Sequence, residues 1–524
     1  MYMEIKSVKF IDSCNHFACK LEDVPKTFGL DENQFKKGFY PYKFNTKENW
    51  NYEGEMPDIK YFDPCSMKTN KRMEFFKWWY DKKKSNYIWK HKKETKEYCD
   101  SDVDILLQGC NVYSQEGYDL VGIDPLEKKT IASWVMDIYL KNFYDFNKTP
   151  IYVLEKIEYD FIRRSFHGGR TEAIRLYRKW NSEELQKGIC GRYKDVQSLY
   201  PTTQYYDPLP IGIPKTKTDF EGVDYHEYIK NNYGWFEVDI KMNKQLFIPP
   251  LVAKDEKLTA DLVDKEKQVF HSEELKRAID DGCEITKIYQ SLEMDTSTDL
   301  FKEFVKTFLE VKVNATGKPK LWDNKTDRQR WIKEHEDRFG FTPNPTEKND
   351  GKRAIAKMIL NSLWGKFGQR PDMPKNIYIT PEKINKWWQM LSDCKNGKID
   401  IKGEELTGDT LFVSFKELDD KENYTLKTTS LAIASSITAC ATMRLYTELR
   451  LLKERVLYMD TDSIIYEHHP DKYNIPSGKF LGEWECETDG LPITEFVSTG
   501  AKSYAYKVQG KVKDVKMKGI TLNW

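Results

Sequence analysis

The segment RVLYMDTDSIIYEHH, residues 455–469, predicts more of the architecture than any other segment of the chain. Two runs of β-forming side chains, Val456-Leu457-Tyr458 and Ile464-Ile465-Tyr466, flank the acidic corner Asp460-Thr461-Asp462. Apolar, partly β-branched runs on both sides of a short polar corner predict a β-hairpin with its acids at the tip. Asp460 and Asp462 are two residues apart, so we expect their side chains to point to the same side.

Two neighbouring carboxylates at such a tip need a physical reason. They repel each other unless a divalent cation or a proton lies between them. The alternative is an ordinary Asp-rich turn, because Asp is common in turns. An ordinary turn is not normally bracketed by such apolar strands, and this favours a cation site.

A second acidic position lies in GRYKDVQSLYP, residues 191–201. A short strand-like run ends at Asp195, and a carboxylate at a strand end is exposed enough to hold a cation. Taken alone this pattern is also typical of a solvated loop. Mg²⁺ prefers one or two carboxylates together with substrate phosphates. We therefore expect Asp195 and Asp462 to hold two divalent ions about 3.5–4 Å apart, with Mg²⁺ the favoured metal.

A third segment, KRAIAKMILNSLWGKFGQRP, begins at Lys352. Read as a helix, it places two cations, an amide and an indole on a single face: Arg353, Lys357, Asn361 and Trp364. The apolar side chains Ile355, Met358, Ile359 and Leu363 lie on another side and can pack. A cationic face is often only solvated. Combined with the acids, however, this face predicts a nucleoside triphosphate site and nucleotidyl transfer to a 3′-hydroxyl.

Composition limits the remaining possibilities. The 524 residues contain 83 Lys+Arg and 83 Asp+Glu, so the chain is not basic overall and must meet a polyanion with local patches. Its length suggests three or four domains at about 150 residues each. The ten cysteines form no C-x-x-C pair, and the N-terminus has no apolar signal region. We expect an intracellular, monomeric protein without a membrane segment.

One basic and aromatic segment allows two interpretations. Residues 68–97 hold 11 Lys+Arg against 4 Asp+Glu, interleaved with seven aromatic side chains. Such a segment can bind nucleic acid by charge and stacking. It is equally consistent with an amphipathic helix that has a solvated basic face.

The three segments resemble motifs A, B and C of family B DNA polymerases. The matching residues are D-x-x-S-L-Y-P at Asp195, K-x-x-x-N-S-x-x-G from Lys357, and Y-x-D-T-D-S from Tyr458. The variety that the chain is most similar to is the protein-primed branch of small phages, adenoviruses, linear plasmids and Polinton/Maverick elements. Residues 166–171, FHGGRT, resemble that branch's Gly-Gly motif, and residues 501–504, AKSY, resemble its K-x-Y motif.

The resemblance implies a role for each matching residue. Asp195, Asp462 and Asp460 would be the catalytic, metal-associated acids, with Asp460 in support. Tyr200 would lie beneath the sugar and exclude ribose. The triphosphate would be held by Arg353 and Lys357, and the nucleotide pocket lined by Asn361 and Trp364, where many family members have Tyr. Template or primer strands would contact the two flanking motifs through Gly168, Gly169, Arg170, Lys502 and Tyr504.

The implied fold is a mixed α/β, multidomain right-hand polymerase with palm, fingers and an incomplete thumb, preceded by the C-terminal portion of an RNase H-like 3′–5′ exonuclease. We expect these regions: partial exonuclease domain 1–165, Gly-Gly linker 166–190, palm 191–240, terminal-protein and template region 241–318, fingers 319–370, second insertion 371–427, palm 428–510 and start of the thumb 511–524. The implied partners are template DNA, a primer terminus, dNTPs and a terminal protein primer.

The two ends depart from the family pattern. Residues 11–17 resemble one exonuclease motif, with Ser13 in place and Cys14 where Leu is usual, and Tyr98 with Asp102 resembles another. The carboxylates of the earlier exonuclease motifs are missing from the chain, so we expect no proofreading from it. The leading hypothesis is a DNA-templated DNA polymerase. The alternative is a catalytically silent, DNA-binding remnant of a viral or mobile element.

Overall fold

The computed structural model describes residues 2–5, 8–17, 19–67, 69–254, 258–345, 347–370, 373–418 and 429–520. The helices are α1 (Val24–Phe28), α2 (Thr69–Lys84), α3 (His91–Val121), α4 (Ile131–Asn142), α5 (Lys156–Ser165), α6 (Ser182–Gln186), α7 (Leu199–Tyr206), α8 (Tyr225–Asn231), α9 (Ser272–Asp280), α10 (Lys302–Ala315), α11 (Lys325–Phe339), α12 (Asp350–Phe367), α13 (Ile384–Lys395) and α14 (Leu431–Leu452).

The strands are β1 (Tyr2–Ile5), β2 (Val8–Ile11), β3 (Glu53–Gly54), β4 (Trp89–Lys90), β5 (Thr171–Ala173), β6 (Tyr177–Lys179), β7 (Cys190–Val196), β8 (Leu209–Lys217), β9 (Gly234–Lys241), β10 (Ala253–Lys254), β11 (Leu258–Thr259), β12 (Lys265–His271), β13 (Glu284–Ser297), β14 (Lys375–Ile379), β15 (Ile399–Thr407), β16 (Thr410–Glu417), β17 (Val456–Asp460), β18 (Ser463–His468), β19 (Trp484–Cys486), β20 (Ile493–Gly500), β21 (Ser503–Val508) and β22 (Lys511–Lys516).

The largest sheet carries both acidic segments. Its strand order is β22-β21-β20-β7-β18-β17-β5, with β19 paired to β7 and β6 paired to β20. The predicted hairpin is confirmed as β17 and β18, which pair antiparallel. The register places Ser463 opposite both Asp460 and Asp195, so the two acidic segments meet at one end of the sheet.

Helix α14 packs against one face of this sheet. Its small and apolar side chains are buried along nearly the whole helix, and they pack with β7, α7, β17 and β18 in one core. The stretch SLAIASSITACATM, from Ser430, consists of small and apolar residues, and its burial within the protein explains that composition. Among the helices in the described portion of the chain, none is long and apolar enough to cross a membrane.

Helix α12 is held between the N-terminal region and the sheet. The Asn349 side chain caps it by accepting from the Lys352 backbone N–H at 2.8 Å. Its predicted apolar side is confirmed: Ile355, Ile359 and Leu363 are fully buried and Met358 is partly buried. They share a core with side chains of α1, α3, α4 and α10. Burial of one side of α12 fixes the opposite, polar face toward the acidic end of the sheet.

Two of the expected region boundaries do not coincide with structural units. Strands β8 and β9 pair with β12 and β13 in a separate sheet of order β12-β9-β13-β8, so a boundary at residue 240 would divide one sheet. Strand β22 pairs with β21 at the edge of the large sheet, so residues 511–516 continue that sheet, and the start of the thumb at 511–524 stays a prediction. The last four residues, 521–524, lie outside the described residues.

The second insertion does form a unit in its described residues. Strands β14, β16 and β15 make a three-stranded sheet, and α13 packs on it through a small core that includes Met390 and Val413. The cross-strand pairs are antiparallel throughout. This unit corresponds in position to the expected region 371–427.

The N-terminal region is mainly helical where it is described. Long helix α3 runs beside α1, and the strand pairs β1-β2 and β3-β4 are short. In the basic and aromatic segment, Phe75, Trp79 and Trp89 are buried together in a local core. For these three side chains the amphipathic-helix interpretation is confirmed, because rings that fill a core cannot stack on bases.

Candidate active site

Backbone hydrogen bonds fix the acidic corner against its neighbouring strand. The Val196 backbone N–H donates to the Asp462 carbonyl at 2.8 Å, directly beside Asp195. Thr461, at the tip, adopts a left-handed φ of 60°, which is uncommon for a β-branched residue and lets the chain reverse within two residues. Asp195, near the end of β7, and Asp462, in the turn before β18, are therefore held side by side.

These two carboxylates are partly buried and close enough to influence each other. Burial, followed by the charges of Asp462, Glu487 and Glu485, raises the pKa of Asp195 to about 7, although Lys357 opposes this. Burial and the nearby Asp460 also raise the pKa of Asp462. Removing carboxylates from water while grouping like charges is unfavourable unless a cation neutralises them.

The donor set fits a hard divalent cation. Carboxylate oxygens are the preferred ligands of Mg²⁺, which completes its coordination with water and substrate phosphates. Among the described residues, no three His, Cys, Asp or Glu side chains converge as a ready-made metal cluster. A site with two principal carboxylates and open positions for phosphate oxygens fits the ligand preference of Mg²⁺. It also fits the lack of a three-residue cluster among the described residues.

Asp460 has a different environment. Its Oδ1 accepts hydrogen bonds from the Thr171 hydroxyl at 2.8 Å and from Lys502 Nζ at 2.6 Å. The positive charge of Lys502 already neutralises this carboxylate. Asp460 is thus placed beside the pair as a support, and its prediction as a metal ligand stays a prediction.

The polar face of α12 has the predicted composition. Arg353, Lys357 and Asn361 are exposed and Trp364 is half-buried. The Trp364 indole stacks on the Tyr200 ring with centroids 4.0 Å apart and an interplanar angle of 25°. Because Lys357 lowers the pKa of Asp195, its ammonium group lies within electrostatic reach of the acids. The structure therefore brings Lys357 within reach of the acidic corner and Trp364 onto Tyr200, while Arg353 and Asn361 share their face of α12.

Tyr200 lies in the first turn of α7, immediately after the strand that carries Asp195. Burial, and then the charges of Asp462 and Asp460, raise the pKa of its phenol to about 12. The hydroxyl is consequently neutral at physiological pH. Ser198, which precedes the helix, has a left-handed φ of 58°, and this backbone turn aims α7 toward α12.

The Gly-Gly segment packs directly on the acidic corner. A Cβ added to Gly169 would lie 2.5 Å from the Thr461 side chain, whereas one added to Gly168 would meet no atom within 4 Å. The Arg170 carbonyl accepts the Thr461 backbone N–H at 2.8 Å. Gly169 is therefore needed for close approach, and Gly168 borders open space.

Arg170 does not fit its expected role. Its side chain is 1% exposed and its guanidinium donates to the Pro249 carbonyl at 2.6 Å and to Glu172 at 2.9 Å. A buried guanidinium held in this way cannot reach a DNA strand. The prediction that Arg170 contacts DNA is therefore corrected to a structural role between the linker and the loop that contains Pro249.

The two K-x-Y residues separate into an exposed and a buried position. Lys502 is exposed, has a left-handed φ of 58°, and donates its backbone N–H to the Tyr458 hydroxyl at 2.7 Å. Tyr504 is buried: its ring lies 4.8 Å from that of Tyr458, and its hydroxyl bonds Tyr193 at 3.2 Å. Lys502 is solvent-exposed and its ammonium group pairs with Asp460, whereas Tyr504 packs among the buried rings of the sheet, so their roles in binding DNA stay predictions.

Sequence reasoning missed Glu485, Glu487 and Lys312. Glu485 lies opposite Asp195 across the β19–β7 pair, and both glutamates raise the pKa of Asp195. Lys312 lies on α10 and interacts electrostatically with Lys357, Arg353 and Glu485. A signal existed for Lys312, because it follows Phe308 by four residues and Leu309 by three on the apolar side of α10.

The residues that resemble exonuclease motifs lie in the N-terminal region. Tyr98 and Asp102 are one turn apart on α3, where the Tyr98 hydroxyl bonds that of Tyr42 at 2.5 Å. Asp102 forms an ion pair of 3.3 Å with Lys37. Ser13 lies in a separate short turn, Ser13–Asn15. The assignment of this region to an exonuclease stays a prediction.

Comparison with known proteins bears directly on the family. A family model described as DNA polymerase type B, organellar and viral, matches residues 1–330 and 342–450. The chain belongs to this family. The resemblance inferred from motifs A, B and C, to protein-primed family B polymerases, is thereby confirmed at the level of family.

Similar proteins include a probable DNA polymerase of Podospora anserina, 27% identical over 98% of this chain and 40% of the relative. Another is a probable DNA polymerase of Agaricus bitorquis, 24% identical over 92% of this chain and 57% of the relative. The DNA polymerase of Bacillus phage phi29 is 26% identical over 62% of this chain and 46% of the relative. The chain spans about two fifths to somewhat over half the length of the four fungal relatives that it matches.

Solved structures agree with the type B fold. The orthorhombic crystal form of phi29 DNA polymerase superposes with a TM-score of 0.60 and 17% identity, covering 99% of this chain and 75% of that chain. The phi29 enzyme with primer-template DNA gives a TM-score of 0.58 and covers 98% of this chain and 73% of that chain. The predicted mixed α/β polymerase fold is confirmed, whereas its exonuclease and thumb details stay predictions.

Proposed function

We propose that this chain is a DNA-directed DNA polymerase that adds dNTPs to a 3′-hydroxyl on a DNA template. One observation carries the proposal. The partly buried acids Asp195 and Asp462 lie at one end of the sheet, and the exposed Lys357 of α12, which shares its helix face with Arg353, lies within electrostatic reach of Asp195. The carboxylates would attract divalent cations, and the cationic face of α12 would attract phosphates. Together they suit a metal-bound nucleoside triphosphate.

Asp195 and Asp462 would hold two divalent ions, with Mg²⁺ the favoured metal. When bound, such ions activate a hydroxyl nucleophile and neutralise the charge on the leaving pyrophosphate. The two acids would set where the ions bind, because backbone hydrogen bonds join β7 to β18 and to the turn that carries Asp462. Asp460 keeps Lys502 oriented through their ion pair.

The remaining residues would bind and select the nucleotide. Lys357 and Arg353 are one helical turn apart and would grip the triphosphate with charge-assisted hydrogen bonds. The neutral Tyr200 ring would lie beneath the sugar, and Trp364 and Asn361 would line the base pocket. A ring beneath the sugar leaves no room for a 2′-hydroxyl, and this excludes ribonucleotides.

DNA would approach the same corner from two sides. Lys502 offers a positive charge to the phosphates of a primer terminus, and Gly168 leaves open space for a template strand. One solved structure of phi29 DNA polymerase is a ternary complex with primer-template DNA and incoming nucleotide substrates. By analogy we propose the same partners here, with a terminal protein as primer for the genome of a virus or mobile element and with the chain acting as a monomer.

Primer extension tests the proposal. The purified chain with Mg²⁺, the four dNTPs and a primed template should extend the primer, and Asp462→Asn should abolish extension without changing the thermal melting temperature by more than a few degrees. Asp471→Asn, at an exposed turn after the same hairpin, is the matched control and should extend normally. Binding of primed DNA without extension under any divalent metal would instead support the inactive DNA-binding remnant.

A further inference from the structure

The connection between α10 and α12, residues 316–349, contains helix α11 and returns to the helices that it joins. Near its end, the Asn344 backbone N–H donates to the Asn314 side chain of α10 at 2.8 Å. The Asn349 backbone N–H donates to the Ala315 carbonyl at 3.0 Å, and the Asn349 side chain caps α12. The end of the connection is therefore fixed to α10 and α12 together.

Helix α11 also contacts the loop that precedes β19. The Arg338 guanidinium donates to the Glu483 carboxylate at 2.6 Å and lies 4.3 Å from the centroid of the Phe480 ring. The His335 ring meets the same phenyl ring edge-on, with centroids 5.0 Å apart. An ion pair, a cation–π contact and a ring pair thus join α11 to this loop.

The same loop, residues 476–483, holds the turn that follows Asp195. The Gln197 backbone N–H donates to the Glu483 carbonyl at 2.9 Å, and the Gly482 backbone N–H donates to the Gln197 carbonyl at 3.0 Å. Gln197 is only two residues beyond Asp195. The loop therefore contacts α11 on one side and the segment that carries a candidate metal ligand on the other.

The Glu483 carboxylate connects these two contacts. One of its oxygens accepts the backbone N–H groups of Lys479 at 2.9 Å and Phe480 at 3.0 Å, and the other accepts from Arg338. A Cβ added to Gly478 would collide with this carboxylate, so the loop is closed tightly around it. A shift of Arg338 would be passed to the loop through a single, well-held group.

We propose that residues 316–349 form a strap that couples the position of α12 to the turn after Asp195, and that Arg338 is the positioning residue of this strap. The strap would hold the cationic face of α12 at a fixed distance from the acids, so that a nucleotide meets both parts of its site together. Its effect on nucleotide use rests on the proposed polymerase function. Arg338 acts through Glu483 and needs no contact with the nucleotide.

The main alternative is that α11 only covers apolar surface. Phe339 already does this, because its ring is buried beside those of Tyr205 and Phe341. The Arg338 side chain is 44% exposed at the rim of this cluster, yet it makes a directional bond to Glu483. Exposed ion pairs add little to stability. A role in positioning explains the bond better than a role in burial.

Nucleotide kinetics give the first test. Arg338→Met should raise the KM for dATP about 3- to 10-fold, the range for a lost ion pair and cation–π contact, while kcat and the KM for primed template stay within about 2-fold. Arg338→Lys keeps the charge and should restore the KM to within about 2-fold of the wild type. Arg330→Met removes an arginine whose ion pair with Asp327 lies within α11, and it should change neither constant.

A double-mutant cycle shows whether Arg338 acts through Glu483. Glu483→Gln should also raise the KM for dATP, and the double variant Arg338→Met with Glu483→Gln should be no worse than the more affected single variant. An unchanged KM in Arg338→Met, or effects that multiply in the double variant, overturns the proposal.

Hydrogen exchange of the chain without nucleotide gives a readout that needs no catalysis. In Arg338→Met, the backbone amides of α12 and of residues 196–199 should exchange at least about 3-fold faster than in the wild type, whereas those of the buried helix α4 should not change. Arg330→Met should match the wild type throughout. Faster exchange that is confined to α11 and residues 476–483 would show a local contact without coupling, and it overturns the proposal.

The two readouts separate this inference from the proposed function. If the wild-type chain fails to extend primers but Arg338→Met speeds exchange in α12, the strap stands and the polymerase assignment fails. If the wild-type chain extends primers but exchange in α12 is unchanged in Arg338→Met, the assignment stands and the inference about the strap fails.

Discussion

The palm and the N-terminal region each contain an aspartate close to a tyrosine, in opposite electrostatic surroundings. Asp195 is partly buried near Asp462, Glu485 and Glu487, and its pKa rises to about 7. Asp102 follows Tyr98 on α3 and pairs with Lys37 at 3.3 Å. One carboxylate lies mainly among like charges, whereas the other has its counterion within the chain.

This difference distinguishes a candidate cation site from a structural ion pair. An acid that the protein itself neutralises contributes to the fold and has little attraction left for a metal. Acids grouped with like charges reduce stability, and such a cost is common at functional sites. Substitutions at the two aspartates, and at the residues that surround them, test whether the distinction is functional.

The largest contrast is expected between the two aspartates themselves. Asp195→Asn should reduce the rate of primer extension at least about 1000-fold, because several kcal/mol of metal-dependent stabilisation would be lost. Asp102→Asn should leave that rate within about 2-fold of the wild type. Single-nucleotide extension assays measure both. A severe loss in Asp102→Asn would mean that the N-terminal acid also takes part in the reaction.

The next largest effect, on nucleotide use, is expected from Lys357 on the cationic face of α12. Lys357→Met should lower kcat/KM for a dNTP roughly 10- to 100-fold, since one charge-assisted contact to phosphate is removed. Lys352→Met, on the same helix but off the cationic face, is the control and should retain kcat/KM. Steady-state titration with dATP measures the ratio. Equal effects in the two variants would contradict the assignment of the face to the triphosphate.

A smaller effect is expected where the linker meets the acidic corner. Gly169→Ala places a methyl group about 2.5 Å from Thr461, and such overpacking costs about 1–3 kcal/mol of unfolding free energy. Gly168→Ala adds the same methyl group in open space and should cost less than about 1 kcal/mol. Urea unfolding of both variants measures the difference. Similar stabilities for the two would disprove the close packing of Gly169.

The smallest effect is expected when Lys37, the ion-pair partner of Asp102, is replaced. Lys37 and Asp102 are both partly exposed, so solvent weakens their attraction. Lys37→Met should reduce the unfolding free energy by about 1 kcal/mol or less and leave primer extension unchanged. Thermal melting and extension assays on the same preparation check both expectations. A changed extension rate would link this pair to the reaction.

Much of the site was predictable because its signals are local. The apolar runs around Asp460 and Asp462 define a hairpin within fifteen residues, and the stripe on α12 follows from helical spacing. Each feature needs only short-range geometry. The resemblance to polymerase motifs then predicted that these distant segments meet.

What the sequence did not reveal depends on contacts between distant segments. Arg170 follows two glycines and has the composition of an exposed loop, yet its guanidinium bonds Pro249, which is 79 residues away. Glu485 reaches Asp195 only through the pairing of β19 with β7. Lys312 becomes notable only once α10 packs on α12. Periodicity within one segment contains no information about such partners.

In the proposed nucleotide site, the stack of Trp364 on Tyr200 would affect how much of the binding free energy comes from the base and how much from the phosphates. The two ring centroids lie 4.0 Å apart, so one face of each ring is already covered. In the proposed site a base that separated the two rings would lose a ring pair worth about 0.5–1.5 kcal/mol, and its net gain from stacking would be small for every base alike. Base identity would then be selected by pairing with the template strand, and the phosphates would supply most of the binding free energy.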